Sequence, residues 1–147
     1  MLKYFKSMIL CFAALFLCVN VSATSSEDIC KLAEKLKIES EQLQSLLTSD
    51  DGKKGLVPLT EDYENFYLEL FSNEDNAEHM KYYGNGNLST KERAQKIFEW
   101  RLSRIWDSEI PSSLSFIIMN ENKPAGFVGV GPLNSKDSQP EIGRVID

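Results

Sequence analysis

The chain has 147 residues, enough for one domain, and its 42% hydrophobic and 26% charged content is that of a globular protein rather than a disordered chain. Its net charge of −6 at pH 7, with no basic stripe in the sequence, argues against nucleic-acid binding, because an acidic surface repels phosphate backbones. We therefore expect no nucleic-acid partner.

Residues 1–23 have the pattern of a signal peptide. Two lysines precede an apolar run, which gives way to Val21-Ser22-Ala23, a cleavage pattern with cutting expected after Ala23. The run, residues 8–19, is too short to span the ~30 Å apolar core of a bilayer comfortably as a helix. We expect an exported protein, periplasmic or secreted, that meets the membrane only transiently through this segment. A membrane anchor or a buried N-terminal helix is the alternative, and without a signal peptide the protein would be cytoplasmic.

Cleavage would change both the cysteine content and the charge. Without the two N-terminal lysines, 14 of the 16 basic residues remain against 22 acidic ones, a net charge of −8. Cys30 would be the last of the three cysteines, so no internal disulfide is expected. His79 is the single histidine and has no cysteine nearby. We therefore expect no metal site.

Residues 24–47 form a predicted amphipathic helical segment. Thr24-Ser25-Ser26-Glu27 is a possible capping box, and apolar residues follow at alternating four- and three-residue steps, with one interruption at Ser40. A helix on a domain surface or in a helical hairpin suits this stripe better than a coiled coil, since three heptads are few. Residues 48–55 are rich in Asp, Gly and Lys and are expected to be a linker.

Two helices are predicted after a short strand at residues 56–59, whose proline favours a sheet edge or a strand end. Thr60 can cap the first helix. One face of this helix is rich in aromatic residues, which is more typical of a core than of a ligand site. The residues of that face are Tyr63, Phe66, Tyr67, Leu70 and Phe71. A short helix at Asn76–Tyr82 is possible between the two helices. The second helix is predicted to begin with a capping box, Ser89-Thr90-Lys91-Glu92. Its inner face consists of Ala94, Phe98, Arg101, Leu102 and Ile105, and Trp100 points away from that face.

Three strands are predicted in the last third of the chain. Leu114–Met119 is apolar on both faces, Asn120–Pro124 supplies a hairpin turn, and Ala125–Gly131 is the return strand. After a polar loop, Glu141–Asp147 begins another strand. The fold class is therefore α+β: a short strand, two to three helices, then an antiparallel three-strand meander.

Residues 56–147 resemble the first half of a GNAT-type N-acetyltransferase, closest to the branch that acts on ribosomal proteins and amino sugars. Four fragments carry the resemblance in the family's order: "LVPLTEDYENFYLELFSN", "LSTKERAQKIFEWRL", "FIIMNENKPAGFVGVGPL" and "PEIGRVID". Arg144 departs from the pattern, since the family more often has an aromatic residue there. The resemblance implies a truncated GNAT-like fold over residues 56–147.

The resemblance also implies transfer of an acetyl group from acetyl-CoA to an amine. Members of the family often use a carboxylate near the strand that "PEIGRVID" begins, and Glu141 is the matching residue, so it is the catalytic candidate. The alternative for Glu141 is a solvent-facing strand carboxylate. In the family, a glycine-rich turn after this strand opens the helix that binds the coenzyme A pyrophosphate. No such turn follows here, so acetyl-CoA binding and activity of this chain by itself are not expected.

Two functions remain open from the sequence. The chain is part of an acetyltransferase that needs a complementing chain, or it is an exported, non-enzymatic interaction protein that retains the fold fragment. An export signal favours the second, because acetyl-CoA is a cytosolic metabolite, whereas the family resemblance favours the first. In either case the strand at Glu141–Asp147 is expected to be an exposed edge that promotes self-association.

Overall fold

The computed structural model describes residues 26–50, 53–78, 80, 88–133 and 141–146. Its helices are α1 Ser26–Leu36, α2 Ser40–Leu47, α3 Glu64–Ser72 and α4 Lys91–Trp106, with 3-10 turns at Glu61–Tyr63 and Glu74–Asn76. The strands, β1 Lys54–Pro58, β2 Leu114–Asn120, β3 Lys123–Gly131 and β4 Glu141–Ile146, form a four-stranded antiparallel sheet in the order β1-β2-β3-β4. The predicted α+β class, with helices before an antiparallel meander, is confirmed.

The chain divides into two compact units. The first contains residues up to Val57 together with Met119–Lys123, and the second contains Pro58–Ile118 with Pro124–Asp147. The candidate functional residues belong to the second unit.

In the first unit, the helical segment predicted over residues 24–47 is two helices rather than one. Helix α1 ends because Lys37 adopts a left-handed backbone conformation, with φ of 54°. The Ile38 N–H donates to the Ala33 carbonyl and the Lys37 N–H to the Glu34 carbonyl, both at 3.1 Å. These two bonds are those of the Schellman motif, which usually has glycine at the left-handed position. The predicted apolar stripe is buried across both helices: Ile29, Ala33, Leu36, Leu43, Leu47.

Lys37→Gly is expected to stabilise the protein. A left-handed conformation costs a residue with a Cβ atom roughly 1–2 kcal/mol, whereas glycine adopts it without that cost. We expect the free energy of unfolding to rise by about 1 kcal/mol in denaturant titrations. Glu34→Gly, within α1, is the matched control and should lower it by about 1 kcal/mol. Equal loss of stability in both variants would contradict the Schellman assignment.

The hairpin between β2 and β3 turns at Glu121 and Asn122. Both residues have positive φ, 49° and 65°, the combination found in the two-residue type I′ turn, whose twist matches that of the strands. The predicted turn over Asn120–Pro124 is confirmed in place but is shorter, since β3 already begins at Lys123. The Glu121 N–H donates to the Lys53 carbonyl, a hydrogen bond that connects the turn to the start of β1 within the first unit.

The core of the second unit is aromatic. The Tyr67 ring centroid lies 4.4 Å from that of Phe71 and 5.2 Å from those of Phe98 and Phe127. Phe127 meets Tyr67 and Phe71 edge to face, the arrangement that aromatic quadrupoles favour. The aromatic-rich face of α3 was predicted to be core. This prediction is confirmed for Tyr67 and Phe71, while Phe66 is half-buried.

Strand β2 is buried on both faces, as its sequence predicts. Phe116 and Ile117, which lie on opposite faces of the strand, are both buried, and Ser115 is 1% exposed. The Ser115 carbonyl accepts from the Leu59 N–H at 2.9 Å, directly after β1 ends at Pro58. The expectation that the proline marks a strand end is confirmed.

The start of α4 differs from the prediction by one residue. The N-cap is Thr90, whose hydroxyl accepts from the Arg93 N–H at 3.3 Å, and the predicted capping box at Ser89 is wrong. The Ser89 N–H instead donates to the Phe71 carbonyl at 2.9 Å, a tertiary contact that the local sequence does not reveal. Of the short helix predicted at Asn76–Tyr82, residues 79, 81 and 82 lie outside the described residues. Its first residue ends the 3-10 turn Glu74–Asn76.

Candidate functional site

The candidate site lies where β3 ends and β4 begins, in the second unit. Glu141 is the first residue of β4, and its Cα pairs with that of Gly131, the last residue of β3. The register thus places the backbone of the predicted catalytic residue beside the end of β3, on the side of that strand opposite to β2. The Glu141 side chain lies outside the described part of the chain.

Ser112 and Ser113 pack directly against Gly131. A Cβ atom at position 131 would lie 2.8 Å from Ser113 Cβ and 3.4 Å from Ser113 Cα, which is closer than carbon atoms approach without displacing one another. The absence of a side chain at Gly131 therefore allows this contact. The Ser112 carbonyl accepts from the Leu133 N–H at 2.8 Å, which holds the serine segment to the chain that leaves β3.

The hydroxyl groups of these two serines are buried without a hydrogen-bond partner in the described structure. Ser112 is 5% exposed and Ser113 8%, and each Oγ atom is inaccessible to solvent. Leaving a buried hydroxyl unpaired costs roughly 1–3 kcal/mol, so each such group requires an explanation, and a catalytic role is one of them. Each hydroxyl can donate one hydrogen bond and accept others. A polar group that reached these hydroxyls could therefore form hydrogen bonds with them.

Helix α4 connects this segment to a second polar group centred on Arg101. The Ser112 N–H donates to the Arg104 carbonyl at 3.2 Å near the end of α4. Three residues earlier, Arg101 donates through Nε to the Tyr67 hydroxyl at 3.1 Å and through Nη1 to Ser115 Oγ at 3.5 Å, a long bond. Helix α4 thus contains Arg101 and also binds the serine segment through the Arg104 carbonyl.

The Arg101 guanidinium lies over an aromatic ring and a glycine. Its Cζ atom is 4.8 Å from the Phe127 ring centroid, within cation–π range. A Cβ atom at position 129 would lie 3.0 Å from Nη1, so Gly129 leaves the space that the guanidinium fills. The positively charged guanidinium of Arg101 therefore lies beside Gly129, which is two residues before Gly131 in β3. Such a charge favours the ionised form of any carboxylate brought near it.

The sequence predicted part of this site. It identified Glu141 as a candidate and placed Arg101 on the inner face of α4, but it assigned no role to Arg101, Ser112 or Ser113. A charged residue at a core position of an amphipathic helix was the available signal for Arg101. For the serines no signal existed, since serines beside Pro111 are typical of a loop. His79 lies outside the described residues.

Comparisons with known proteins add no assignment, since no family model, curated protein or solved structure matches the chain. Among the described residues, no group of three or more His, Cys, Asp or Glu side chains could hold a metal ion. Within the same ranges, no helix combines the length and the hydropathy needed to cross a membrane. The expected signal peptide, residues 1–23, lies outside them.

Proposed function

We propose that the chain is the amine-binding part of a GNAT-like N-acetyltransferase. The observation that supports this proposal is the order of the elements, in which α3 and α4 connect β1 to a meander and the sheet order is β1-β2-β3-β4. The resemblance of residues 56–147 to the first half of that family implies this order. The candidate site lies at Glu141, where the family often places a carboxylate for the acceptor amine.

The residues at this strand end suit proton removal from an amine. An alkylammonium group must lose a proton before its nitrogen can attack an acetyl carbonyl carbon, and a nearby carboxylate can accept that proton. We assign this role to Glu141. The hydroxyl oxygens of Ser112 and Ser113 can accept hydrogen bonds from the ammonium group, which would satisfy two buried groups that lack partners. Acetyl-CoA, where a complementing chain held it, would supply the acetyl group for such an amine.

The described residues do not fit the pyrophosphate of acetyl-CoA. The family binds it at a helix N-terminus that follows a glycine-rich turn. In the ranges that the structure describes, the helices are preceded by other residues, such as Glu39 before α2, Tyr63 before α3 and Thr90 before α4. We propose that the acetyl-CoA site is supplied by a second segment, from a complementing chain.

Amine binding is the measurement that tests this function. We expect the full chain, titrated with a panel of amino acids, amino sugars and peptide N-termini, to show saturable shifts of the Ser112, Ser113 and Gly131 amide resonances in NMR spectra. Glu141→Gln should weaken binding about tenfold, as expected when a charge-assisted hydrogen bond is lost. Acetyl-CoA alone should not bind in the low-micromolar range, about −8 kcal/mol.

Glu121→Gln is the matched control, because Glu121 is exposed in the β2–β3 turn and should bind the amines as the unaltered chain does. A panel in which no amine shifts these resonances would refute the amine-binding function. Low-micromolar binding of acetyl-CoA would instead show that the pyrophosphate site lies within this chain.

A second candidate function is an exported interaction protein. The observation that favours it is the position of β4 at the end of the described sheet order, with Ile142 51% exposed. An edge strand with an exposed apolar side chain can pair with another chain. This function needs no acetyl-CoA, so it is compatible with export.

A further inference from the structure

Trp100 lies on the outer face of α4, near two guanidinium groups. Its side chain is 50% exposed, consistent with the prediction that it points away from the inner face of the helix. The Arg104 Cζ atom is 5.0 Å from the indole centroid, and the Arg101 Cζ atom is 6.0 Å from it. One indole therefore has two permanent positive charges beside it.

Arg104 has an unmet hydrogen-bonding requirement. Its Nε atom is buried and has no hydrogen-bond partner in the described structure. Stacking on an indole face satisfies the charge in part but none of the in-plane N–H groups, which are the donors that match an oxyanion. The Nε–H donor therefore remains unmet in the described structure. An oxyanion bound at the edge of Arg104 would satisfy it.

The position of Arg101 strengthens this electrostatic argument. Its guanidinium donates to the Tyr67 hydroxyl and lies over the Phe127 ring, and both contacts restrain it. Two like charges near one ring repel each other, and an anion beside them would remove that repulsion. The chain as a whole is acidic, with a net charge of −6, so this local concentration of positive charge differs from the overall balance.

We propose that Trp100, Arg101 and Arg104 form a binding site for a small oxyanion, a carboxylate or a phosphate. The oxygens bind the in-plane N–H groups of Arg104 as a bidentate pair, Arg101 adds a second positive charge, and the indole covers one face of the Arg104 guanidinium. This site adjoins the serine segment, since the Ser112 N–H donates to the Arg104 carbonyl, but it uses other side chains than those of Ser112, Ser113 and Glu141. It does not depend on whether the chain binds or acetylates an amine.

The test is titration of the full chain with inorganic phosphate and, separately, with acetate at constant ionic strength. We expect a saturable shift of the Arg104 Nε–H resonance and a change in tryptophan emission, with half-saturation at about 1 mM or below for at least one anion. Saturation by phosphate alone would identify a phosphate ligand, by acetate alone a carboxylate ligand, and by both a general oxyanion site.

Three variants separate the site from general charge effects. Arg104→Gln should weaken binding about tenfold or more, since it removes a charge-assisted bond. Arg104→Lys keeps the positive charge but lacks the planar guanidinium, so its affinity for the anion should lie between those of the unaltered chain and Arg104→Gln. Arg93→Gln, an exposed arginine on the same helix, should bind as the unaltered chain does. The absence of saturation in the unaltered chain, or equal weakening by Arg93→Gln and Arg104→Gln, would overturn the proposal. The first of these outcomes does not require any variant to fold.

Discussion

Phe127→Ala is expected to lower the free energy of unfolding by about 3–5 kcal/mol. Phe127 is fully buried, and its ring meets those of Tyr67 and Phe71 at centroid distances of 5.2 and 5.6 Å. The substitution would remove these contacts and the ring beneath Arg101, and it would leave a cavity that the close-packed neighbours fill only in part. A domain is typically stable by about 5–15 kcal/mol, so the loss is a large share of the total. Denaturant titration of the full chain measures it.

Two further variants separate cavity formation from other effects. Phe127→Leu retains much of the side-chain volume and should cost less than the alanine variant. Phe66→Ala truncates a half-buried ring on α3 and should also cost less. If Phe127→Ala cost no more than Phe66→Ala, the aromatic cluster would not be the main source of stability in the second unit.

Ile142→Lys is expected to reduce self-association of the chain about tenfold or more, as a charge on an exposed edge strand opposes pairing with a second copy. Strand β4 is last in the described sheet order, with β3 paired along one side from Gly131↔Glu141 to Gly126↔Ile146. Ile142 is 51% exposed on that strand. Sedimentation of the unaltered chain across concentration should show self-association, and the variant should remain monomeric over more of that range.

Ile110→Lys is the matched control for this experiment. Ile110 is 59% exposed but lies between α4 and β2, outside any strand. The control should associate as the unaltered chain does, since it has no unpaired strand edge to protect. Equal effects of the two lysines would indicate a general charge effect, and a monomeric unaltered chain at every concentration would remove the edge-pairing hypothesis.

Local patterns were sufficient where neighbours in sequence determine the structure. Apolar residues on both faces of Leu114–Met119 predicted a strand buried on both faces, and the spacing of Tyr67 and Phe71 predicted a core face. The helix break at Lys37 was missed because the Schellman motif normally has glycine at that position, and a lysine gives no such signal. The N-cap of α4 was misplaced because Ser89 uses its N–H in a contact with Phe71, far away in sequence.

The sequence by itself therefore determined the α+β class, the order of the helices and strands, the hairpin and the candidacy of Glu141, since each follows from residue periodicity, turn chemistry or a matching motif. Only the tertiary structure decided which polar groups come together. Arg101 meets Tyr67 and Ser115, which are 34 and 14 residues away along the chain, and Ser113 meets Gly131 across neighbouring strands. No local propensity encodes such pairs, because they form only when the chain folds and Arg101 of α4 fills the space at Gly129 while Ser113 packs against Gly131.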